Sequence, residues 1–371
     1  MLQLQDYDYD LPPALIAQEP LEPRDASRLL VLSRRTGRVS HHLFRDLVDL
    51  LRPGDILVAN NSRVIPARLY GHKAASGGQV ELLLLERLAS DRWRALAGGK
   101  KLGLGSEIVL HEADGQDSPI TATIVTVLDG PQREVQFSQP LDDWLETLGH
   151  TPLPPYIHTA LAGGERYQTV YARPAGSAAA PTAGLHFTGD LLLALRDKGV
   201  LFETCTLHVG LDTFKPVSAA HIAEHTIHSE WASLSPDAAR RINEAKLAGG
   251  RLVAVGTTST RVLETAALRS AGIGGSLQNI SQRDAAGETS NLCPWKPVAA
   301  FTGPTDLYIY PGYRYRAVDV MLTNFHLPKS SLLMMVAAFT GREQLLAAYQ
   351  TAITEQYRFY SFGDAMLVSD S

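Results

Sequence analysis

The hydrophobic pattern of this sequence changes twice, and that change constrains the fold more than any other feature. Short runs of alternating or apolar residues, separated by turns with glycine and aspartate, lie at 80–85, 93–97, 107–110, 120–128 and 134–137. No helical period lies between them, so the segment is typical of a small all-β barrel or sandwich. From residue 182 onward strands and helices alternate, which predicts an α/β domain.

The domain boundaries are predicted where these patterns meet. A chain of 371 residues favours two domains, or one large domain with an insertion. Residues 54–61 predict a buried strand, while proline and glycine at 153–155 and 162–164 mark the return to the first domain. The predicted division is 1–63 for the first part of the main domain, 64–148 for an inserted small β-barrel domain, and 149–371 for the second part of the main domain.

The second part of the main domain has recognisable helix boundaries. Thr188 and Ser235 stand at N-cap positions, and Gly199 and Gly249 end the two helices that follow them. Residues 271–303 are rich in Gly, Ser and Asn, so we expect a long surface loop there, serving as an insertion or a lid. Strands are predicted at 200–208, 227–234, 251–255 and 317–323, and further helices from about 261 and about 329.

Composition narrows the class of protein. Hydrophobic residues make up 45% and charged residues 20% of the chain, which is ordinary for a globular protein that needs no obligate protein partner to fold. Cys205 and Cys293 are the only cysteines, too few for a disulfide framework, and they fit a reducing compartment. Because no apolar run reaches membrane-span length and the first residues lack signal-peptide order, we expect a cytoplasmic protein with no membrane partner.

The charge distribution identifies a candidate RNA-binding surface. The net charge of −5 argues against a protein that holds nucleic acid by bulk positive charge. Between residues 20 and 75, however, cationic residues outnumber acidic ones and most of them are arginine. The planar arginine fork suits bidentate contact with phosphate, so this segment is a candidate RNA footprint. An ordinary solvated face is the alternative.

Three strand-to-helix junctions carry dense polar clusters, and ligands in α/β folds collect at such strand ends. The first is 255–261, where Gly256 permits close backbone approach and Thr257, Thr258 and Ser259 can hold a carboxylate or a phosphate; plain helix capping is the alternative. The second is 323–331, with Asn324, His326 and Lys329. The third is 208–214, with His208 and Asp212, and it follows the run 181–187, with Thr182 and His186.

One short motif suggests a metal. Residues 221–225, His-Ile-Ala-Glu-His, match the H-x-x-E-H pattern of a metallopeptidase family, with His228 or Glu230 as a third ligand. The residues after His225 predict a strand instead of a continuing helix, so the motif lacks its expected context. A site without metal, in which Glu224, His225, His228 and Glu230 transfer protons or form hydrogen bonds, fits the pattern better.

With these residues in place, the chain resembles the S-adenosylmethionine:tRNA ribosyltransferase-isomerase family almost from end to end. The long segment 271–303, usually shorter in that family, and His221 depart from the family pattern. The matching segments include NNSRVIPAR at 60–68, YQTVYA at 167–172, APTAGLHF at 180–187, HVG at 208–210, EH at 224–225 with HSE at 228–230, GTT at 256–258, YPGY at 310–313 and TNFHLP at 323–328.

The resemblance implies a barrel-like mixed α/β main domain with the small β-barrel inserted in it. It also implies that the ribosyl group of S-adenosylmethionine, a co-substrate, is transferred and isomerised onto 7-aminomethyl-7-deazaguanine at the tRNA wobble position, giving epoxyqueuosine-tRNA, methionine and adenine. No metal is implied. The candidate catalytic residues are His186, His208, His225, His228, Glu230 and His326, and the candidate S-adenosylmethionine-binding residues are Thr182, Gly256, Thr257, Thr258, Ser259 and Asn324.

This chemistry requires a base, a proton donor for adenine, and fixed dipoles around developing charge. Asp212, Glu224 and Asp364 could supplement the candidate residues, and the choice of base stays open. We expect the methionine carboxylate near residues 257–259, and tRNA phosphates near Arg63, Arg68 and Lys329. The alternatives are a zinc hydrolase and a non-catalytic RNA-binding module, although such a module needs a basic groove with stacking aromatics instead of clustered histidines.

Overall fold

The computed structural model describes residues 2–159, 161, 163–210, 217, 219–289 and 294–370, so Asp212 and Cys293 lie outside the described residues. Its helices are α1 Leu47–Leu50, α2 Leu145–Leu148, α3 Gly189–Asp197, α4 Pro236–Leu247, α5 Gly256–Ser270, α6 Ile280–Ala285, α7 Ser331–Thr340 and α8 Arg342–Thr354. Its strands are β1 Arg28–Ser33, β2 Val39–Leu43, β3 Ile56–Asn60, β4 Arg63–Val64, β5 Arg68–Lys73, β6 Gln79–Arg87, β7 Arg92–Gly98, β8 Glu107–His111, β9 Asp117–Val127, β10 Gln132–Phe137, β11 Gly149–His150, β12 Ala175–Ser177, β13 Leu201–Leu207, β14 Glu230–Leu234, β15 Leu252–Val255, β16 Phe301–Thr305, β17 Val320–Asn324 and β18 Ala365–Ser369.

The main sheet has nine strands in the order β16-β14-β13-β3-β15-β17-β18-β1-β2. Strands β13, β3, β15 and β17 run parallel to one another. The central strands are buried throughout, as expected for strands that are covered on both faces. Alternate side chains separate two cores, because Val58 and Ala254 face the layer of α4, α5, α7 and α8, whereas Leu57 and Val255 face α1 and α3.

This sheet is open among the described residues, which differs from the barrel-like main domain that the family resemblance implies. The strand order ends at β16 and β2, and no pairing joins these two strands. Strand β16 contains Pro304, which lacks an N–H group and therefore suits an edge position. The confirmed part of the prediction is a mixed α/β protein with a large mixed sheet.

A small closed β-barrel is confirmed. Its strands run in the order β5-β6-β7-β10-β9-β8 and close through pairing of β8 with β5, while β11 adds to the other side of β5. A separate hydrophobic core fills it, built from residues between Ile65 and Leu148. The closing seam requires Gly71, since a Cβ there would lie 2.3 Å from the Val109 carbonyl oxygen. Each of the five predicted strands coincides with one of β6 to β10, although the one predicted at 120–128 runs one residue past the end of β9. The boundary at 64–148 stays a prediction.

The predicted caps form, but one helix begins earlier than expected. The Thr188 and Ser235 hydroxyls accept hydrogen bonds from backbone N–H groups three residues later, both at 3.1 Å. Helix α5 begins at Gly256 instead of near residue 261. Gly256 has φ of +85°, which turns the chain directly from β15 into the helix. The hydroxyl-rich junction therefore forms the first turn of α5.

The prediction of a surface loop at 271–303 is wrong in part. Helix α6 lies within it, and β16 begins at Phe301. The carboxylate of Asp284 is fully buried and forms a 2.6 Å ion pair with Arg316, whose side chain is 5% exposed. Nearby, buried Glu264 accepts backbone hydrogen bonds from residues 316–318. The contacts of Asp284 with Arg316 and the Arg314 backbone N–H fix α6 against residues 314–316, which a count of Gly, Ser and Asn could not reveal.

Candidate active site

A cavity of about 1200 Å³ lies between the main sheet and the barrel. It opens at the carboxyl ends of β13 and β15, where α/β folds bind ligands. The main-domain wall includes His208, Gly210, Glu224, His225, His228, Glu230, Trp231, Thr257, Thr258, Arg261 and Tyr308. The opposite wall includes Leu85, Glu86, Arg87, Trp93, Arg94 and Gln132 of the barrel. The structure thus brings the first predicted junction, at 255–261, and the described part of the third, residues 208–210, into one space.

His208, directly after β13, is held on three sides. Its Nδ1 atom forms a 2.7 Å hydrogen bond with the Ser62 hydroxyl. Its ring stacks on Trp231 with centroids 5.2 Å apart, and a Cβ at Gly176 would approach the ring to 3.0 Å. Burial lowers the pKa of His208, so the imidazole is neutral at pH 7 and can accept a proton.

Glu230 and Arg261 form a buried ion pair in the cavity wall. Arg261 donates to the Glu230 carboxylate and, at 3.0 Å, to the His228 carbonyl oxygen. The backbone N–H of Gly210 donates to Glu230 at 2.9 Å. The two charged side chains are only 7% and 9% exposed. Since Arg261 belongs to α5 and Glu230 begins β14, the pair fixes this helix to the strand next to the edge strand β16.

Residues 221–225 do not form the helix that the metallopeptidase motif needs. Ile222–Glu224 is a single 3₁₀ turn, with His221 before it and His225 after it in extended conformations. His225 contacts Tyr308 edge-on at 5.5 Å, and burial together with His228 lowers the pKa of His225. In the described part of the chain, no three potential metal-ligand atoms converge at this motif.

The first turn of α5 offers donors to both the large cavity and a smaller one. Thr257 and Thr258 line both spaces. The Thr258 hydroxyl is buried and has no hydrogen-bond partner among the described residues, an arrangement that proteins normally avoid. Ser259 is fully buried and lines neither space. The helix N-terminus and the Thr258 hydroxyl therefore suit an anionic or hydrogen-bonding ligand.

The small cavity, about 80 Å³, gathers the second predicted junction. Thr182, Gly256, Asn324 and His326 all line it. Thr182 donates to the Asn324 side-chain oxygen at 3.2 Å. The Nε2 atom of His326 lies 2.7 Å from the Thr323 hydroxyl, and burial lowers the pKa of His326 to about 3. These side chains form a hydrogen-bonded wall next to Thr257 and Thr258.

His186 lies beneath this wall and lines neither cavity. Its Nδ1 atom is 2.8 Å from the Ser27 hydroxyl, and its Nε2 atom is 3.2 Å from the Asn324 side-chain nitrogen. Its ring stacks on Phe44 at 4.9 Å. Burial lowers the pKa of His186 to about 3. This geometry suits a residue that positions Asn324. Asp364 is likewise structural, since it accepts backbone hydrogen bonds from Arg28 and Arg358.

The predicted phosphate contacts are all paired with carboxylates. Arg63 pairs with Glu165, Arg68 lies 3.4 Å from Glu81, and Lys329 lies 2.7 Å from Asp8. Lys329 has φ of +55° and directly precedes Ser330, the cap of α7. Exposed arginines of the same basic segment are Arg35, Arg38, Arg45 and Arg52.

Sequence reasoning missed several side chains that shape the cavity. Ser62 and Trp231 hold the His208 ring, and Arg261 holds Glu230. Trp231 is 45% exposed and lines the large cavity. The NNSR run at 60–63 was a usable signal for Ser62. Nothing local to residue 261 predicted its partner.

The fold and the cavity define an α/β enzyme with a polar cleft at its strand ends, facing a small β-barrel. Residues 4–368 match the profile of the family described as queuosine biosynthesis protein. The chain belongs to this family, the S-adenosylmethionine:tRNA ribosyltransferase-isomerases, and is an enzyme of that class. In the described residues no helix has both the length and the apolar character needed to cross a membrane.

Relatives support this membership over the full length. The S-adenosylmethionine:tRNA ribosyltransferase-isomerase of Symbiobacterium thermophilum is 50% identical, with 99% of this chain and 100% of the relative covered. That of Heliobacterium modesticaldum is also 50% identical, with 98% of each covered. A crystal structure of S-adenosylmethionine tRNA ribosyltransferase from Thermotoga maritima matches with a TM-score of 0.52 at 36% identity, covering 98% of this chain and 99% of the other.

Proposed function

We propose that the protein transfers and isomerises the ribosyl group of S-adenosylmethionine onto 7-aminomethyl-7-deazaguanine at the wobble position of tRNA. The products are epoxyqueuosine-tRNA, methionine and adenine, and the proposed compartment is the cytoplasm. The observation that carries the proposal is the large cavity, which brings a neutral histidine, a helix N-terminus and a buried ion pair into one space. Its volume of about 1200 Å³ exceeds that of common small-molecule sites, about 300–1000 Å³, leaving room for a tRNA base beside S-adenosylmethionine.

We assign the methionine end of S-adenosylmethionine to the first turn of α5. The helix N-terminus favours a carboxylate, and the unpartnered Thr258 hydroxyl can donate to it. Thr257 stands beside it at the border of the two cavities. Ser259, which lines neither cavity, does not contact the ligand in this proposal. Thr182 and Asn324 complete the wall on the small-cavity side.

His208 is our candidate for the base. The sulfonium acidifies the protons on the neighbouring carbon, so a neutral imidazole held at that carbon can remove one of them. Hydrogen bonding to Ser62 and stacking on Trp231 fix the ring, and burial keeps it neutral. His225 and His228, on the same wall, are candidates for the proton donor to adenine. The Glu230–Arg261 pair supplies fixed charges near the developing charge.

The tRNA would enter from the barrel side. Trp231 is half exposed beside His208, and an aromatic face of this kind stacks on an unpaired base. The backbone phosphates would contact Arg45, the exposed arginine of the basic segment that follows β2 at the cavity's end of the main sheet. Arg63 and Arg68 would contribute only by exchanging their carboxylate partners for phosphate.

The decisive experiment incubates the purified protein with S-adenosylmethionine and tRNA that carries the 7-aminomethyl-7-deazaguanine precursor. We expect adenine and methionine in equal amounts, together with a ribosyl-modified tRNA, as measured by liquid chromatography and mass spectrometry. The control is tRNA with guanine at the wobble position, which should give no adenine above background. Tight binding of the precursor tRNA without release of either product would overturn the proposal and favour a non-catalytic RNA-binding module.

A further inference from the structure

Three potential metal ligands meet on the outside of the small barrel, away from the active-site cavity. They are His72 on β5, His111 at the end of β8 and Asp117 at the start of β9. Strands β5 and β8 form the seam that closes the barrel. His111 is paired in register with Asp117 across β8 and β9. The cluster therefore spans three adjacent strands at the closing seam.

The distances within this cluster fit a coordination tetrahedron. The Nδ1 atom of His72 lies 3.0 Å from the Nε2 atom of His111. Each of these nitrogens lies 3.5 Å from the same Asp117 carboxylate oxygen. Zinc bonds of about 2.0–2.1 Å at tetrahedral angles separate ligand atoms by about 3.3–3.4 Å. The three atoms already form one face of such a tetrahedron, so binding requires shifts of only a few tenths of an ångström.

We propose that His72, His111 and Asp117 bind a divalent transition-metal ion of the Zn²⁺ type. Two imidazoles with one carboxylate are a donor set that zinc accepts. The two histidine side chains are 25% and 17% exposed and Asp117 is 61% exposed, so an ion can enter from solvent and water can complete its coordination. Glu112 and Asp114 belong to the same β8–β9 hairpin, and their negative charge favours a cation.

The bound ion would act as a clamp on the barrel and take no part in the reaction. It would join β5 to β8 and β9 beside Gly71, where the two strands approach so closely that a Cβ is excluded. The active-site cavity lies against β6, β7 and β10, on the other arc of the barrel order. Because an ion that binds only the folded state stabilises that state, zinc should raise the melting temperature of the protein.

A hydrogen bond between the two histidines, without metal, is the competing explanation of the 3.0 Å contact. Isothermal titration calorimetry of the chelator-treated full chain with ZnCl₂ separates the two. We expect one saturable site with a dissociation constant below about 10 µM, and a melting temperature that rises with zinc. His72→Gln and His111→Gln should each weaken zinc binding at least 100-fold, and Asp117→Asn about tenfold.

His150→Gln is the matched control, because His150 lies on the neighbouring strand β11 and contacts Tyr70 outside the cluster. This variant should bind zinc as the unmodified protein does. The proposal fails if no saturable zinc binding occurs, or if His72→Gln binds zinc unchanged. It also fails if His225→Gln removes the zinc site, since the ion would then lie at the 221–230 segment. Asp117→Asn, altered only at an exposed position, tests the site even if a histidine variant misfolds.

Discussion

Two groups of histidines lie beside the main sheet and differ in what surrounds them. His208 and His225 face the open large cavity. His186 is enclosed, with both ring nitrogens hydrogen-bonded to buried side chains. Burial lowers the pKa in both groups, so all three rings are neutral at pH 7. Space next to a ring nitrogen, more than protonation state, therefore separates residues suited to proton transfer from residues that hold the structure.

The largest expected effect is a loss of catalysis when His208, which faces the large cavity, is replaced. His208→Gln should lower kcat for adenine release by about 10²- to 10⁴-fold, the usual contribution of a general base. Stability should change little, because the substituted side chain can still bond to Ser62. Steady-state kinetics with precursor tRNA and urea unfolding measure the two quantities. If His208→Gln kept full kcat while His225→Gln lost it, the base would be His225.

The next largest effect is expected for the Glu230–Arg261 ion pair in the wall of the large cavity. Arg261→Met leaves the Glu230 carboxylate buried without its cation, and breaking such a pair costs about 3–5 kcal/mol of unfolding free energy. Chemical denaturation at pH 7 measures this. The double variant Glu230→Met/Arg261→Met should recover most of the loss, since it leaves no unpaired charge. Equal stability of the single and double variants would show that the pair contributes only packing.

His186, the enclosed histidine, should affect how the free energy of unfolding depends on pH. The pKa of His186 is about 3 in the folded protein and about 6.5 when unfolded. The unfolded chain therefore binds a proton below pH 6.5 while the folded protein does not, and stability is lost as the pH falls from 6.5 toward 3. At pH 5 this histidine costs about 2 kcal/mol.

His186→Gln should remove this contribution, so its stability should fall about 2 kcal/mol less than that of the unmodified protein between pH 7 and pH 5. Urea unfolding at the two pH values gives the difference. His208→Gln is the matched comparison, and its slope should change less because His208 faces an open cavity. Identical slopes in the unmodified protein and His186→Gln would mean that His186 is solvated.

Features that depend on neighbouring residues could be predicted from the sequence, whereas contacts between distant residues could not. Periodicity and caps are local, so the barrel strands, the Thr188 and Ser235 caps and the strand ends at His208 and Thr257 could be located in advance. The ion pairs Glu230–Arg261 and Asp284–Arg316 join residues about 30 positions apart. No local pattern encodes such pairing, which is why Arg261 was missed and α6 was expected to be a loop.

The sequence predicted a polar site at the strand ends, but only some of the residues that line it. The structure places His208 with Thr257 and Thr258 in the large cavity, and Asn324 with the same two threonines in the small one. Ser259 stands next to Thr258 in the same motif, yet the helix turns its side chain away from both cavities. Because α5 begins at Gly256, successive residues of the motif point in directions about 100° apart. Helix α5 can begin at Gly256 because this residue adopts a positive φ, and composition does not reveal that conformation.

The smallest expected effect distinguishes binding from packing within the first turn of α5. Thr258→Val removes a buried hydroxyl that has no partner among the described residues, so unfolding free energy should rise by about 1 kcal/mol. The apparent KM for S-adenosylmethionine should rise about tenfold, because the ligand loses a hydrogen bond. Thr260→Val is the matched control, since the Thr260 hydroxyl already donates to the Gly256 carbonyl oxygen at 3.1 Å.

Thr260→Val should lower stability by about 1 kcal/mol and shift the KM less than twofold. Opposite signs of the stability change in the two Thr→Val variants, together with the rise in KM for Thr258→Val, would show that the Thr258 hydroxyl is kept for a ligand at a cost to folding. If Thr258→Val raised stability but left the KM unchanged, the hydroxyl would face empty space and the methionine carboxylate would bind elsewhere. If it lowered stability instead, the hydroxyl would have a protein partner, and the assignment of α5 to S-adenosylmethionine would lose its main support.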